Sequence, residues 1–234
     1  MNGERSAVAI IPARGGSKRL RKKNMRPLNG VPLVVYTLRA VQDSGRFAKA
    51  ILSSDDPEIL SVAQGFPIVE PRERPEELSG DTVTALTLVN QIVDEGELAK
   101  HYDAIALLLP TAPLRTARHL REGMGLLDTD VDGVVSLTTY EFPPQLSVTL
   151  DTEGTVVPVF NPCPLITGNT RSQDQDIIYR PNGGFYIQWL ARFLVNRNFW
   201  KGKVRGYVMS RDESVDIDTE EDLERAERLL NGGY

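Results

Sequence analysis

The stretch Ile11-Pro-Ala-Arg-Gly-Gly-Ser-Lys-Arg-Leu-Arg-Lys-Lys-Asn24 decides how this chain of 234 residues is read. It follows a short apolar run, residues 8–11, that stops at Pro12 as a buried parallel strand does. It precedes a helical pattern over residues 32–40, with Pro32 in the first turn. Between them Gly15 and Gly16 allow a sharp turn that brings backbone N–H groups against an anion. Arg14, Lys18, Arg19, Arg21, Lys22, Lys23 and Arg26 put seven cations here with no acid among them. The whole chain carries −5, so without these seven the remainder carries −12. That balance attracts a small, highly charged anion and repels a polyanion such as nucleic acid. A cation–phosphate pair at 4 Å is worth about 4 kcal/mol in a partly wet site. A helix terminus adds only about 0.3–1 kcal/mol, so side chains should dominate. The loop fits neither the Walker pattern nor Gly-x-Gly-x-x-Gly. A basic surface patch has the same composition, but such patches rarely join a buried strand to a helix.

Outward from this loop the periodicity alternates. Residues 50–53 read as a strand, and Asp56 as the N-cap of a helix that begins at Pro57 with Glu58 in its first turn. Asp81 and Thr82 are candidate caps for a helix carrying Leu86, Val89, Ile92 and Val93. Residues 104–109 form an apolar strand ending at Pro110, 116–127 a helix, and 133–137 a strand. Such alternation predicts an α/β fold with a doubly wound, mainly parallel sheet. Ligands of such sheets sit in the loops at the carboxyl ends of strands, where residues 12–24 and 110–115 fall. Residues 140–180 break the pattern, with Pro143-Pro144, apolar segments at 146–150 and 156–160, and Gly154. They predict a hairpin or arm inserted into one domain spanning 1–234. Alternation resumes at 184–187 and 205–209 and closes with a helix over 219–230.

The apolar share of 41% and charged share of 25% are those of a soluble globular protein. No apolar run approaches the roughly 18 residues that span a bilayer, and residues 1–7 lack the apolar core of a signal peptide. Cys163 is the single cysteine, so no intrachain disulfide forms and a cytoplasmic enzyme is expected. With one Cys and two His, His101 and His119, zinc is disfavoured; both histidines read as isolated, at exposed helix ends. A metal here should be a hard ion held by carboxylates and phosphates. Asp128-x-Asp130-x-Asp132-Gly133 opens like a calcium loop, but its twelfth position is Thr139, so a polar turn is the better reading.

Ser214-Val-Asp-Ile-Asp-Thr-Glu-Glu-Asp-Leu223 carries the second chemical signal. If extended, it points Asp216 and Asp218 to one side and buries Val215 and Ile217 on the other. Adjacent carboxylates repel unless a cation lies between them, and Mg2+ bridging to phosphates would satisfy both. Capping of the last helix by Asp218 and Thr219 is the alternative, and it leaves Asp216 unexplained.

The opening loop, with Lys23-Asn24, Pro27-Leu28-Asn29-Gly30 and Pro32-Leu33, resembles that of the acylneuraminate cytidylyltransferases, the CMP-sialic acid synthetases and their legionaminic and pseudaminic acid relatives. Further matches run from Ser53 to Glu227: Arg74-Pro75 with Leu78, Pro110-Thr-Ala-Pro-Leu-Arg115, the 171–186 block, and residues 214–223. The resemblance implies a Rossmann-like fold of the nucleotide-diphospho-sugar transferase type, CTP as donor, Mg2+, and a homodimer formed through the 140–180 arm. It implies nucleotide contacts from Ala13, Arg14, Gly15, Gly16, Ser17, Lys18, Asn24, Arg74 and Ser79. It places Arg171, Gln173, Tyr179, Asn182, Phe185 and Tyr186 around an acidic nine-carbon sugar. Arg14, Lys18 and Asp216 become the candidate catalytic groups, and Asp216 with Asp218 the metal ligands. Asp216 is also a candidate to help deprotonate the sugar hydroxyl through a metal-bound water. Three positions depart from the family pattern: Leu109 stands where glutamine helps hold the sugar, Ala112 replaces serine, and Gly184 replaces alanine. Neither nucleic acid nor membrane is expected as a partner.

Overall fold

A computed structural model of the chain describes residues 6–17, 19–80 and 82–232. Lys18 and Asp81, both singled out by the sequence, lie outside the described residues.

Seven strands form the central sheet. They are β1 (Ala7–Pro12), β4 (Lys49–Ser54), β5 (Val69–Glu73), β6 (Ala104–Leu107), β7 (Gly133–Thr139), β10 (Tyr179–Trp189) and β11 (Val204–Val208). The remaining strands, β2 (Pro27–Leu28) with β3 (Val31–Pro32) and β8 (Val148–Leu150) with β9 (Val156–Pro158), make two small antiparallel pairs. The sheet order is β11-β7-β10-β6-β1-β4-β5. Only β10 runs antiparallel to its neighbours, with Tyr186 opposite Leu107 and Val135.

The helices are α1 (Leu33–Ser44), α2 (Pro57–Val62), α3 (Ala85–Glu95), α4 (Ala117–Gly125), α5 (Pro164–Thr167), α6 (Leu190–Asn196) and α7 (Glu220–Leu230). Among the described residues no helix is long and apolar enough to cross a membrane.

Alternation along β1 shows how the layers form. Ala7, Ala9 and Ile11 face one core with Val34, Leu38, Val41 and Leu120, from α1 and α4. Val8 and Ile10 face the other with Leu88, Val89, Ile92 and Phe193, from α3 and α6. A third, smaller core gathers Leu20, Leu28, Leu33, Leu114, Val215, Ile217, Leu223 and Ala226. It joins the basic loop to the acidic segment under α7.

Local signals behave as their chemistry requires. Asp56 caps α2, accepting from Glu58 N at 2.8 Å. Gly45 ends α1 with φ +62°, a left-handed conformation that glycine adopts without strain. Thr219 and Asp222 form a reciprocal capping box on α7.

Several details differ from the sequence reading. Thr84, not Thr82, caps α3, accepting from Thr87 N at 3.1 Å. Pro32 sits one residue before α1 rather than in its first turn. β10 is longer than the 184–187 core of its pattern: residues 179–181 also pair with β7, across a register shift that separates Pro181 from Tyr186. His119 is buried, not exposed: Thr116 N donates to its Nδ1 at 3.1 Å and its Nε2 lies 3.1 Å from Glu213. Asp128 accepts from Asp130 N at 2.9 Å, so that segment is a turn.

Residues 140–178 leave the sheet and carry the β8–β9 hairpin. Phe142, Leu150, Ile166 and Ile177 are each more than 60% exposed there.

Candidate active site

The carboxyl ends of β1, β4 and β6 lie side by side, and the loops leaving them build one cleft. Ala13 N donates to Ser53 O at 2.9 Å, tying the start of the basic loop to β4. Asn24 Nδ2 closes the loop from its far end by donating to Arg14 O at 2.8 Å. Gly15 N donates to Asp55 Oδ1 at 2.8 Å. This corrects the expectation for Gly15, whose N–H is already committed to a carboxylate. A Cβ at Gly15 would also stand 2.7 Å from Asp56 Cβ, so close approach to α2 is what requires glycine. Gly16 has open space around it, and its backbone lines the cleft with Arg14 and Ser17.

The cleft holds about 270 Å³ and is walled by this loop, by Arg74 and residues 83–88, and by Leu109, Pro110 and Thr111. Two buried polar atoms on its lining have no partner among the described residues: Arg74 Nε and Asn24 Oδ1. Buried polar groups are normally satisfied, so an orphan donor and an orphan acceptor on one wall mark a place for a polar ligand. Burial lowers the Arg74 pKa, with Asp55 opposing, and Arg74 Nη2 donates to Ser53 O at 3.0 Å. Ser79 Oγ donates to Pro75 O at 3.0 Å within its own turn, away from the cleft lining. A larger cavity of about 690 Å³ lies between α1, the start of α4 and the end of α7, and it contains none of the candidate side chains.

The acidic segment lies behind two residues of the cleft wall, Lys23 and Thr111, which it contacts; Asp216 and Asp218 are not themselves on the lining. Val215 and Ile217 are buried and Asp216 is open on the other face, as extended alternation requires. Lys23 Nζ donates to Ile217 O at 2.9 Å and to Asp218 Oδ1 at 2.8 Å, and Arg19 lies 2.9 Å from Asp218 Oδ2. The Asp218 side chain therefore faces cations rather than capping α7. Although the residue keeps exposed surface, the protein crowded around its carboxyl raises Asp216 above the ordinary aspartate value, with Asp218 adding and Thr111 opposing.

Lys23 lines the cleft and touches the acidic segment, a role its place among seven clustered cations does not reveal. Contacts across 195 residues leave no local signature.

Among the described residues no cluster of three or more His, Cys, Asp or Glu could hold a metal. Two neighbouring carboxylates are nonetheless the donor set that Mg2+ uses when substrate phosphates and waters supply the rest. Asp216 fits such a role directly. Asp218 fits it by sharing or releasing Arg19 and Lys23.

The sugar-side candidates separate. Tyr186 stands near Asp216, and burial, then that negative charge, raises its pKa. It packs on Phe199 and Trp200 with ring centroids 6.2 and 5.9 Å apart. Leu109 lies on the cleft wall.

Phe185, by contrast, is fully buried, packed on Gly123 and Tyr207 in the α4-side core, and does not reach the cleft. Asn182 is 2% exposed and its amide is spent: Nδ2 donates to Ser214 Oγ at 2.9 Å, and Oδ1 accepts from Gly184 N at 3.1 Å. It braces the acidic segment rather than meeting a ligand. A Cβ on Gly184 would come 2.8 Å from Ser136 Oγ, which explains why alanine is absent there. Tyr179 is exposed at the start of β10, and Arg171 and Gln173 are exposed in the arm, none of them on the cleft lining.

A family model described as cytidylyltransferase matches residues 8–231. Over 221 residues the chain is 33% identical to an N-acylneuraminate cytidylyltransferase of Streptococcus agalactiae serotype V, covering 92% of this chain and 51% of that protein. The chain thus spans about half the length of that relative. It is 32% identical to a pseudaminic acid cytidylyltransferase of Campylobacter jejuni and 29% identical to a CMP-N,N'-diacetyllegionaminic acid synthase of Legionella pneumophila, with 95% of each chain covered in both pairs. The solved structure of CMP:2-keto-3-deoxy-manno-octonic acid synthetase complexed with CTP superposes with a TM-score of 0.68 over 97% of this chain and 99% of that one. At 16% identity this last likeness speaks for the fold alone.

Proposed function

We propose, from a chain that belongs to the cytidylyltransferase family, that the cleft transfers CMP from CTP to the anomeric hydroxyl of an acidic nine-carbon sugar and releases pyrophosphate. The acceptor class is sialic acid or a related nonulosonic acid, in line with the names of its relatives. One observation carries the reading: Lys23, on the cleft wall, joins the cationic loop to the carboxylate segment almost 200 residues away.

In this reading Arg14, Ser17, Lys18 and Lys23 receive the triphosphate, where an arginine can take two oxygens and a lysine acts as a point charge. Gly16, whose backbone lines the cleft, would add a backbone contact, and the orphan atoms of Arg74 and Asn24 would meet the remaining polar edge of the nucleotide. Asp216 and Asp218 would hold Mg2+ together with phosphate oxygens, and the ion would supply charge neutralisation at the transferring phosphate. The sugar lies toward Tyr186 and Leu109, its anomeric hydroxyl in line with the α-phosphorus, so that the P–O bond to pyrophosphate breaks as the new one forms. Leu109 cannot hydrogen-bond a sugar, which favours an acceptor whose substituent at that wall is apolar. The exposed apolar side chains of the 140–180 arm support a homodimer, with a second copy covering them.

The test is pyrophosphate release with CTP, magnesium and a panel of sialic, legionaminic, pseudaminic and deaminated nonulosonic acids, with an eight-carbon keto-deoxy acid as comparator. Turnover with CTP and at least one nine-carbon acid is expected. Turnover with the eight-carbon acid alone, or with another nucleotide in preference to CTP, would refute the proposal.

A further inference from the structure

Two stretches of chain meet at the cleft wall: the 110–115 turn, whose Pro110 and Thr111 line it, and the acidic segment 214–218 behind them. They share one backbone hydrogen bond, from Ile217 N to Thr111 O at 2.8 Å. A second connection lies a few residues along each stretch, and it runs through one imidazole. His119 is 1% exposed and stands in the first turn of α4, which follows the 110–115 turn directly. Thr116 N donates to its Nδ1 at 3.1 Å. A ring nitrogen that accepts carries no hydrogen, so the neutral ring carries its hydrogen on Nε2. That nitrogen donates to Glu213 Oε1 at 3.1 Å, three residues before Asp216.

Glu213 passes the contact on. Its Oε2 accepts from Ser210 Oγ at 2.8 Å, and Ser210 O accepts from Ser214 Oγ at 2.6 Å. The turn 210–214 is thereby closed on itself, and the chain leaving it goes straight to Val215 in the third core and to Asp216. Arg118 Nη2 stands 2.6 Å from His119 Nε2 and donates to the same Glu213 Oε1 at 2.8 Å. Its side chain is 52% exposed, however, and an ion pair in that setting contributes little. The buried ring, packed edge-on against Tyr207, is what gives Glu213 a fixed direction.

We infer that His119 is a positioning residue: by joining the start of α4 to Glu213, it fixes where the acidic segment begins relative to the turn that lines the cleft. The placement of Asp216 and Asp218 follows from that start. The inference rests on the reading of the cleft as a CTP site whose divalent ion those carboxylates hold.

The experiment compares the full chain with His119→Leu, His119→Gln, Glu213→Ala and the double variant His119→Leu/Glu213→Ala. Four quantities are measured: kcat for pyrophosphate release, the affinity for manganese–CTP from its enhancement of water proton relaxation on the protein, the melting midpoint, and the histidine tautomer by long-range 1H–15N NMR. Loss of an outer partner of a metal site typically costs about 10–100-fold in metal affinity or activity. His119→Leu and Glu213→Ala are each expected to lower kcat and manganese–CTP affinity by such a factor. His119→Gln, which keeps a donor toward Glu213, is expected to recover most of the loss. The double variant should be no worse than the weaker single one, because both cut the same connection. If His119→Leu melts below the assay temperature, Glu213→Ala decides alone, since that side chain is partly exposed. Wild-type kcat and manganese–CTP affinity in Glu213→Ala, a glutamine variant no better than leucine, additive losses in the double variant, or an Nδ1–H tautomer for His119 would each overturn the inference. If the wild type binds manganese–CTP but releases no pyrophosphate with any sugar, the functional reading falls while the manganese–CTP comparison still decides His119. A wild type that binds no manganese–CTP overturns both.

Discussion

Gly15→Ala tests the geometry that the basic loop depends on. A Cβ at this position would stand 2.7 Å from Asp56 Cβ and 2.9 Å from its Oδ2. Nonbonded carbons settle at about 3.5–4.0 Å, so the loop and the start of α2 must part by about 0.8 Å or more. The Gly15 N–Asp55 Oδ1 bond, now 2.8 Å, would then open past the useful limit of about 3.2 Å. A hydrogen bond to a charged acceptor is worth about 1.5–3 kcal/mol. In a chain of this size each kcal/mol lowers the melting midpoint by about 2–4 °C, which gives an expected fall of about 3–12 °C. If CTP pulls the loop back to its native shape, the same energy is lost from binding, roughly tenfold to 150-fold in Kd. Scanning fluorimetry and titration calorimetry with CTP separate the two. Gly16→Ala is the internal control, because no heavy atom lies within 4 Å of a Cβ there, and its midpoint should stay at the wild-type value. A Gly15→Ala variant with wild-type midpoint and CTP affinity would refute the reasoning, as would a Gly16→Ala variant that melts equally early.

Asp216 is raised by burial, so any stability it contributes is present below the unfolded-state value and lost as pH rises through the folded one. Asp216→Asn should therefore raise the midpoint at pH 7, lose that advantage below about pH 4, and cut pyrophosphate release by about 100-fold or more; a lower midpoint at pH 7 would contradict the sign. Burial pushes the Arg115 guanidinium down to about 9, and Arg115→Met removes the donor to Gly184 O and leaves Leu109 O only the long bond from Ala112 N, for an expected loss of about 1–3 kcal/mol in urea unfolding. Replacing Leu150 and Ile166 of the arm by serine should convert a dimer to a monomer in light scattering, since both are largely exposed in the single chain; an unchanged mass would place the interface elsewhere.

Much of the fold is legible because it rests on period and punctuation. β1, the start of α1, the Asp56-Pro57 helix start and the 219–230 helix are all set by local sequence and stand within a residue or two of where periodicity puts them, whereas α1 runs on to Ser44, four residues past its pattern. The direction of β10 was not legible, because an apolar run carries the same pattern up or down a sheet. The same limit explains Phe185 and Tyr186. Alternation shows that they face opposite sides of the sheet, but not which side holds a helix core and which opens on a cleft. Asn182 misleads for a related reason. A polar residue that satisfies a buried network looks, in sequence, like one waiting for a ligand. Gly15 does need to be glycine, yet the cause is the side chain of Asp56, distant in sequence, rather than an anion.

What ties these separate motifs into one site is apolar. Leu20 comes from the basic loop, Leu28 and Leu33 from the turn into α1, Leu114 from the loop after β6, and Val215 and Ile217 from the acidic segment. Each lies within a few residues of a charged group or hydrogen-bonding side chain of the cleft, and all of them are buried in the same small cluster. Like-signed cations in the loop and like-signed carboxylates in the segment would each spread apart on their own. Burial of these six side chains, at about 1.5–3 kcal/mol for a fully buried leucine or isoleucine, opposes that spreading and holds Lys23 against Asp218. The small core is therefore the device that turns two motifs almost 200 residues apart into a single cleft, and the charges gain their partners because the leucines beneath them are packed.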